Sequence, residues 1–251
     1  MSRWLKTVSL ALAVAALSIG AASCGSSSGR AQVRFVNAVP DTDQYGTALD
    51  IEVGGIKEFT NVPFQGLQPA TGYTSVPSGG SELKGVKTGT TTPVFISDIS
   101  LTTGHQYTLV ATGFAIGLGR VVIIPAEDNN TSPASGKVEF RAIDASPSGP
   151  AAVDIYIVPV GTTNPISGSP TIANVAYPSA SGYVTVPYNP NFVAGFNYTM
   201  YVTAAGDTAP LITQNLAAGS SSAGAIRTLV LTDEENVNQL NQLAMVLNDL
   251  N

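Results

Sequence analysis

The chain has 251 residues, with 11 Lys and Arg against 17 Asp and Glu, a net charge of -6, one His and one Cys. Charged residues make up 11% and hydrophobic residues 44%, whereas an ordinary soluble domain carries about 25% charge. This composition excludes a disordered polyelectrolyte, a basic surface for nucleic acid, and a disulfide scaffold or thiolate metal cluster. What remains is one or two globular, β-rich domains.

Residues 1–23 read as an export signal. Arg3 and Lys6 precede an apolar run over residues 8–19, which is too short for a membrane span. The small residues Gly20-Ala21-Ala22-Ser23 lead into Cys24, the only Cys of the chain. This arrangement resembles a bacterial lipobox and marks Cys24 for lipidation. Gly25 after that Cys, rather than Asp, suggests the outer membrane by the same resemblance. Residues 24–31 then form the lipidated Cys and a flexible Gly/Ser tether. Gly25-Ser26-Ser27-Ser28-Gly29 matches a nucleophile-elbow pattern but lacks the strand before it and the helix after it.

Residues 32–130 and 137–251 read as two diverged copies of one unit, joined by a linker at 131–136. Val33-Arg34-Phe35-Val36-Asn37-Ala38-Val39-Pro40 opens the first, and Phe140-Arg141-Ala142-Ile143-Asp144-Ala145-Ser146-Pro147 the second. Leu49-Asp50-Ile51 is echoed by Val153-Asp154-Ile155, Asn61-Val62 by Asn174-Val175, and Gly72-Tyr73 by Gly182-Tyr183. Thr108-Leu109-Val110 returns as Thr228-Leu229-Val230, and Gly119 to Asn129 is matched to Asn241 to Asn251. Ordered landmarks at similar spacing indicate duplication.

Within each copy, apolar and polar residues alternate with period two, and Gly, Pro and Asn clusters punctuate the runs. That pattern predicts half-buried strands. The expected fold class is all-β: two tandem immunoglobulin-like antiparallel β-sandwich domains. The C-terminus is ambiguous. Thr232-Asp233-Glu234-Glu235 looks like a capping box, and Val237, Leu240, Leu243, Ala244 and Leu247 have helical spacing. The repeat instead favours a loop over 233–240 and a strand over 242–248.

The Asn-Ala-Val-Pro-Asp run at 37–41, the Leu-Asp-Ile run at 49–51 and the Gly-Tyr turn at 72–73 resemble the bacterial extracytoplasmic domain of unknown function 4397 family. The resemblance covers nearly all of residues 32–251. It implies a secreted or lipid-anchored β-sandwich. Asn37 and Asp144 stand where that family often has His, so no role for such a His carries over.

The polar residues of the motifs allow two readings. Asn37 and Asp144 each lie three residues before a Pro, where such side chains shape turns. With Asp41, Asp43, Asp50 and Asp154 they could also form a ligand or ion rim at one end of a sandwich. Calcium-loop spacing is absent, so no metal site is assigned. Asp50 and Asp154 alternate with apolar residues and are expected to point to solvent or cap an edge. His105 follows Gly104 in a turn and has no counterpart in the second copy, so no catalytic residue is assigned. The sequons at Asn130 and Asn197 are expected to be incidental. The nine Tyr could furnish a glycan platform, but the repetition of Tyr73 as Tyr183 suits a structural role.

The expectation is a lipoprotein of the cell envelope with a non-catalytic structural, adhesive or scaffold role. A glycan- or peptide-binding surface lipoprotein is the alternative. No cofactor or nucleic-acid partner is expected; the expected partners are the membrane, through Cys24, and a glycan or protein ligand.

Overall fold

The computed structural model of the chain describes residues 29–41, 48–116, 120–191, 193–217, 223–235, 239–241 and 243–250. Its first half contains β1 (Arg30–Ala38), β2 (Leu49–Val53), β3 (Ile56–Val62), β4 (Leu67–Gln68), β5 (Thr74–Pro77), β6 (Gly79–Lys87), β7 (Pro93–Leu101), β8 (Gln106–Thr112) and β9 (Val122–Glu127). The second half contains β10 (Lys137–Ala145), β11 (Ala152–Pro159), β12 (Ile172–Ala176), β13 (Ser179–Ala180), β14 (Val184–Pro187), β15 (Phe196–Ala204), β16 (Pro210–Ala217), β17 (Ile226–Thr232) and β18 (Met245–Leu250).

The protein is all-β, and each half is a sandwich of two sheets. The first half pairs the order β3-β2-β6-β7 in one sheet and β4-β1-β8-β9, with β5 also on β1, in the other. The second half repeats this with β12-β11-β15-β16 and with β13-β10-β17-β18, where β14 also joins β10. Most pairings are antiparallel. The exceptions lie at the centre, where β1 runs parallel to β8 and β10 parallel to β17.

Alternation along β1 decides which face each residue serves. Val33 and Phe35 enter the core between the first half's two sheets, with Leu49, Ile51, Leu83 and Leu109. Phe140, Ile155, Met200 and Leu229 fill the matching core of the second half. The other face of these strands is not open to solvent. Val36, Ala38, Val110 and Ile124 pack against Ile143, Ala145, Val230 and Leu247 in a third core between the halves. The two five-stranded sheets therefore meet face to face, and the molecule is a stack of four sheets. Burying each such Val, Ile or Leu contributes about 1.5–3 kcal/mol, so this seam is a substantial source of stability.

This corrects the expectation of half-buried strands for β1, β8, β10 and β17. All seven residues of β17 are buried, as are six of the seven in β8. Period two reports that a strand has two different faces, and here both are covered.

The C-terminal ambiguity resolves toward strand. Met245–Leu250 pairs antiparallel with β17, and Asp233 bridges Leu240 just before it. Leu247 joins the third core, so burial against the first half outweighs the local helical spacing. The strand begins later than 242. Its register also differs from the sequence matching by one residue: Thr108 pairs with Ala126 and Thr228 with Leu247, which aligns Asp128 with Asp249 rather than with Leu250.

Candidate functional site

The densest polar chemistry among the described residues lies in the middle of the seam. Arg34 and Arg141 occupy equivalent places on β1 and β10, opposite Thr108 and Thr228 on the parallel neighbours. Both arginines point away from their own sandwich core, and both are buried, with exposures of 3% and 1%.

Arg34 donates from Nε to Thr108 Oγ1 at 2.8 Å, from Nη1 to the Asn248 carbonyl at 2.7 Å, and from Nη2 to Asp249. Arg141 donates from Nε to Thr228 Oγ1 at 2.7 Å, from Nη1 to the Glu127 carbonyl at 2.8 Å, and from Nη2 to Asp128. Each arginine thus forms its short ion pair with the aspartate of the other half. Each aspartate is also held at home. Asp128 accepts from Thr108 and from Tyr73 Oη, both at 2.8 Å. Asp249 accepts from Thr228 at 2.6 Å and from Tyr183 Oη at 2.8 Å. The tyrosine rings lie by the guanidinium groups, with centroids 5.4 Å from Arg34 and 4.8 Å from Arg141, a cation–π placement.

The arrangement is self-complementary, as at the interface of a two-fold dimer. It contains two buried cations and two buried anions, and every charge has hydrogen-bonded partners, the condition under which buried ion pairs hold. Burial depresses the basicity of Arg34, yet the carboxylates of Asp128 and Asp249 outweigh it and hold its pKa above the ordinary value. Burial first, and then the charge of Asp128, push the Tyr73 hydroxyl up. Burial likewise raises Tyr183, against the opposing Arg141 charge. Both phenols are fixed as neutral donors. Further bonds cross the seam, among them those from Gln65 Nε2 to Thr232 Oγ1 at 2.9 Å and from Thr112 Oγ1 to the Ala145 carbonyl at 2.6 Å.

The described residues of the expected rim are each engaged by backbone groups. Asp50 and Asp154 are buried rather than solvent-facing, with exposures of 3% and 7%. Each faces a register shift in its sheet. Asp50 accepts the Asn61 N–H at 2.9 Å, and Asp154 the Asn174 N–H at 2.7 Å. Asn61 and Asn174 adopt left-handed φ values of 55° and 51°. The two carboxylates thus fasten equivalent bulges, where backbone donors lose their ladder partners. Burial pushes Asp50 up, but the bonds from Lys57, Asn61 and Thr88 prevail and hold its pKa below the ordinary carboxylate value.

Asn37 donates to the Val62 carbonyl at 3.1 Å and accepts from Val39 N–H at 3.1 Å. Asp41 accepts the N–H groups of Ala115 and Ile116 at 2.8 and 2.7 Å. Asp144 caps the Ser146 N–H at 3.1 Å. Turn-shaping accounts for these groups. Cys24 and Asp43 lie outside the described residues. His105 pairs with Glu127 at 2.7 Å on the exposed surface. Asn197 is fully buried, so its sequon is inaccessible in the folded chain. Among the described residues there is no group of three or more His, Cys, Asp or Glu placed to hold a metal ion.

The family model described as Domain of unknown function (DUF4397) matches residues 31–156. The chain belongs to this family. The DUF4397 match takes in all but the first residue of β1, all of β2 to β10 and most of β11, including Arg34, Tyr73, Thr108, Asp128 and Arg141. No curated protein matches the chain. Among solved structures it is similar to a family 41 carbohydrate-binding module from a streptococcal virulence factor, at 11% identity and a TM-score of 0.25, covering 84% of this chain and 97% of that one. It is also similar to a family 26 carbohydrate-binding module from Eubacterium rectale, solved with maltoheptaose, at 13% identity and a TM-score of 0.24, covering 86% and 95%. Neither likeness carries a ligand over to this DUF4397 chain.

Arg34 and Arg141 are visible in the repeat, but nothing in the sequence said that a second sheet covers them. The one-residue slip at the C-terminus hid the equivalence of Asp128 and Asp249. The available signal was a cation at the same position of two otherwise apolar strands, each opposite a Thr.

Proposed function

We propose that this chain is an exported lipoprotein, anchored through Cys24 in the cell envelope, with a non-catalytic structural, adhesive or scaffold role. The observation that carries the reading is how the motif's polar residues are employed. Asn37, Asp41, Asp50, Asp144 and Asp154 fasten backbone, while Arg34, Arg141, Asp128 and Asp249 lock two sandwiches into one stack. Chemistry that could bind or turn over a substrate is committed to rigidity. The signal-like N-terminus with Cys24 at its end supports the anchor, and Gly25 supports the outer membrane as its site.

Metabolic labelling with radioactive palmitate in the native host tests the anchor. The wild-type chain takes up label and fractionates with membranes, and Cys24→Ser does neither. A Cys24→Ser chain that still carries label overturns the anchor.

A glycan- or peptide-binding role is the second reading. It is favoured by an open cleft of about 390 Å³ on the first sandwich, where Asp41, Lys87, Thr90 and Thr92 adjoin Val94 and Ile116. Binding on a glycan or peptide array that is lost in Thr92→Trp, which fills the cleft, supports this role; an array without binding argues against it.

A further inference from the structure

The loop ends of β1 and β10 differ between the halves. In the first, Asn37 is neutral: its Oδ1 accepts from Val39 N–H and its Nδ2 donates to the Val62 carbonyl. The corresponding residue in the second half is Asp144, 1% exposed. Its Oδ1 makes the same bond, here to Ser146 N–H at 3.1 Å. Its Oδ2, in the place of the Asn37 amide, is buried without a hydrogen-bond partner. By the register of the repeat, the acceptor corresponding to the Val62 carbonyl is that of Val175.

A second acid stands beside it. Asp233, also fully buried, follows β17 where the first half has Gly113. It accepts from Ser146 Oγ and from Ser148 N–H at 3.2 Å, so the two carboxylates grip the same short loop. The titratable groups interacting with Asp144 are Asp233 and, from the turn after β12, Tyr177. Among the described residues, no Lys, Arg or His interacts with Asp144. An ionised Asp144 would be an uncompensated buried charge next to another, which is costly.

We propose that Asp144 holds a proton in the folded protein and acts as a pH-sensitive fastening at the loop end of β10, beside the seam. When neutral, Oδ2–H donates to a backbone carbonyl as the Asn37 amide does. When ionised, it loses that bond and faces Asp233. The neighbouring Ala145 carbonyl takes the Thr112 hydroxyl across the seam, so this fastening adjoins the contact between the halves. Burial, opposed by the Ser146 N–H and reinforced by the Asp233 charge, raises the Asp144 pKa to about 7. Because this is above the unfolded value, the stabilisation is complete below about pH 4. It declines as pH rises from there and levels off above about pH 7.

The test compares the exported chain with its Asp144→Asn variant. At pH 6 the wild type should show the infrared C=O stretch of a protonated carboxyl, and Asp144→Asn should lack it. Between about pH 4 and 7 the wild-type folding constant should fall by up to about tenfold per pH unit relative to Asp144→Asn. Absence of that band, or equal slopes in the two proteins, overturns the proposal. Each titration is repeated with calcium and with EDTA. A wild-type unfolding midpoint that calcium raises and EDTA restores, with no such shift in Asp144→Asn, would mean a cation site and also overturns it. Should Asp144→Asn fail to fold, Asp233→Asn serves: it removes the neighbouring charge and should shift the loss of the infrared band to lower pH.

Discussion

In the middle of the seam the first half carries Arg34, Tyr73, Thr108 and Asp128, and the second carries Arg141, Tyr183, Thr228 and Asp249 in the same places. At the loop ends the halves part: Asn37 and Gly113 in one correspond to Asp144 and Asp233 in the other. The difference follows from who satisfies whom. Each central carboxylate is neutralised by an arginine of the opposite half, so a change on one side strands a charge on the other. Each loop-end group is satisfied mainly within its own half, so the two ends can differ without disturbing the centre.

The most damaging way to break this symmetry is to remove one central acid. Asp128→Ala deprives Arg141, Thr108 and Tyr73 of their acceptor, and an unpaired buried cation costs about 3–5 kcal/mol. Urea unfolding should show Asp249→Ala falling by a similar amount; a clearly unequal loss would mean the seam is not symmetric in energy. Replacing both partners, Arg141→Met with Asp128→Leu, should cost less than Asp128→Ala alone, because no stranded charge remains.

The loop-end difference has a steric side. Gly113 has φ near 98°, and a Cβ there would lie 2.2 Å from the Arg120 carbonyl oxygen. Gly113→Ala should therefore destabilise the first half by about 1–3 kcal/mol. This position cannot take the Asp that its counterpart carries. A Gly113→Ala protein with an unchanged urea midpoint would mean that the close approach of Arg120 to Gly113 yields easily.

Asp50→Asn should cost about 1–2 kcal/mol by weakening the bonds to Lys57 and Asn61. Its lowered pKa sets the sign: the stabilisation is present above about pH 4 and is lost as the pH falls through the folded value. Stability measured from pH 6 down to pH 2 should therefore fall less steeply in Asp50→Asn than in the wild type. The smallest effect is expected at His105, whose pair with Glu127 leaves both side chains about half exposed. His105→Ala should shift stability by less than about 0.5 kcal/mol, and a larger loss would give that turn a role beyond its ion pair.

The strands and their doubling were legible because alternation and turn residues are local signals. Leu49 and Ile51 point inward as the pattern implies. Asp50, between them, was not legible as a buried residue, because its partner is a left-handed Asn eleven positions away. Arg34 was harder still. Its acid lies 215 residues away, and an alternating strand reads the same whether water or a second sheet lies on its polar face. The C-terminal segment shows the converse: Leu247 has good helical spacing, yet a place in the third core and an edge of β17 to pair with decide its conformation.

The seam joins two matching surfaces carried on one polypeptide. An assembly of separate copies would fall apart on dilution, because its partner must be met by diffusion. Here residues 129–136 keep the partner always at hand, as a short tether keeps two binding modules at high effective concentration. A single molecule, however sparsely distributed, retains both faces of its own interface.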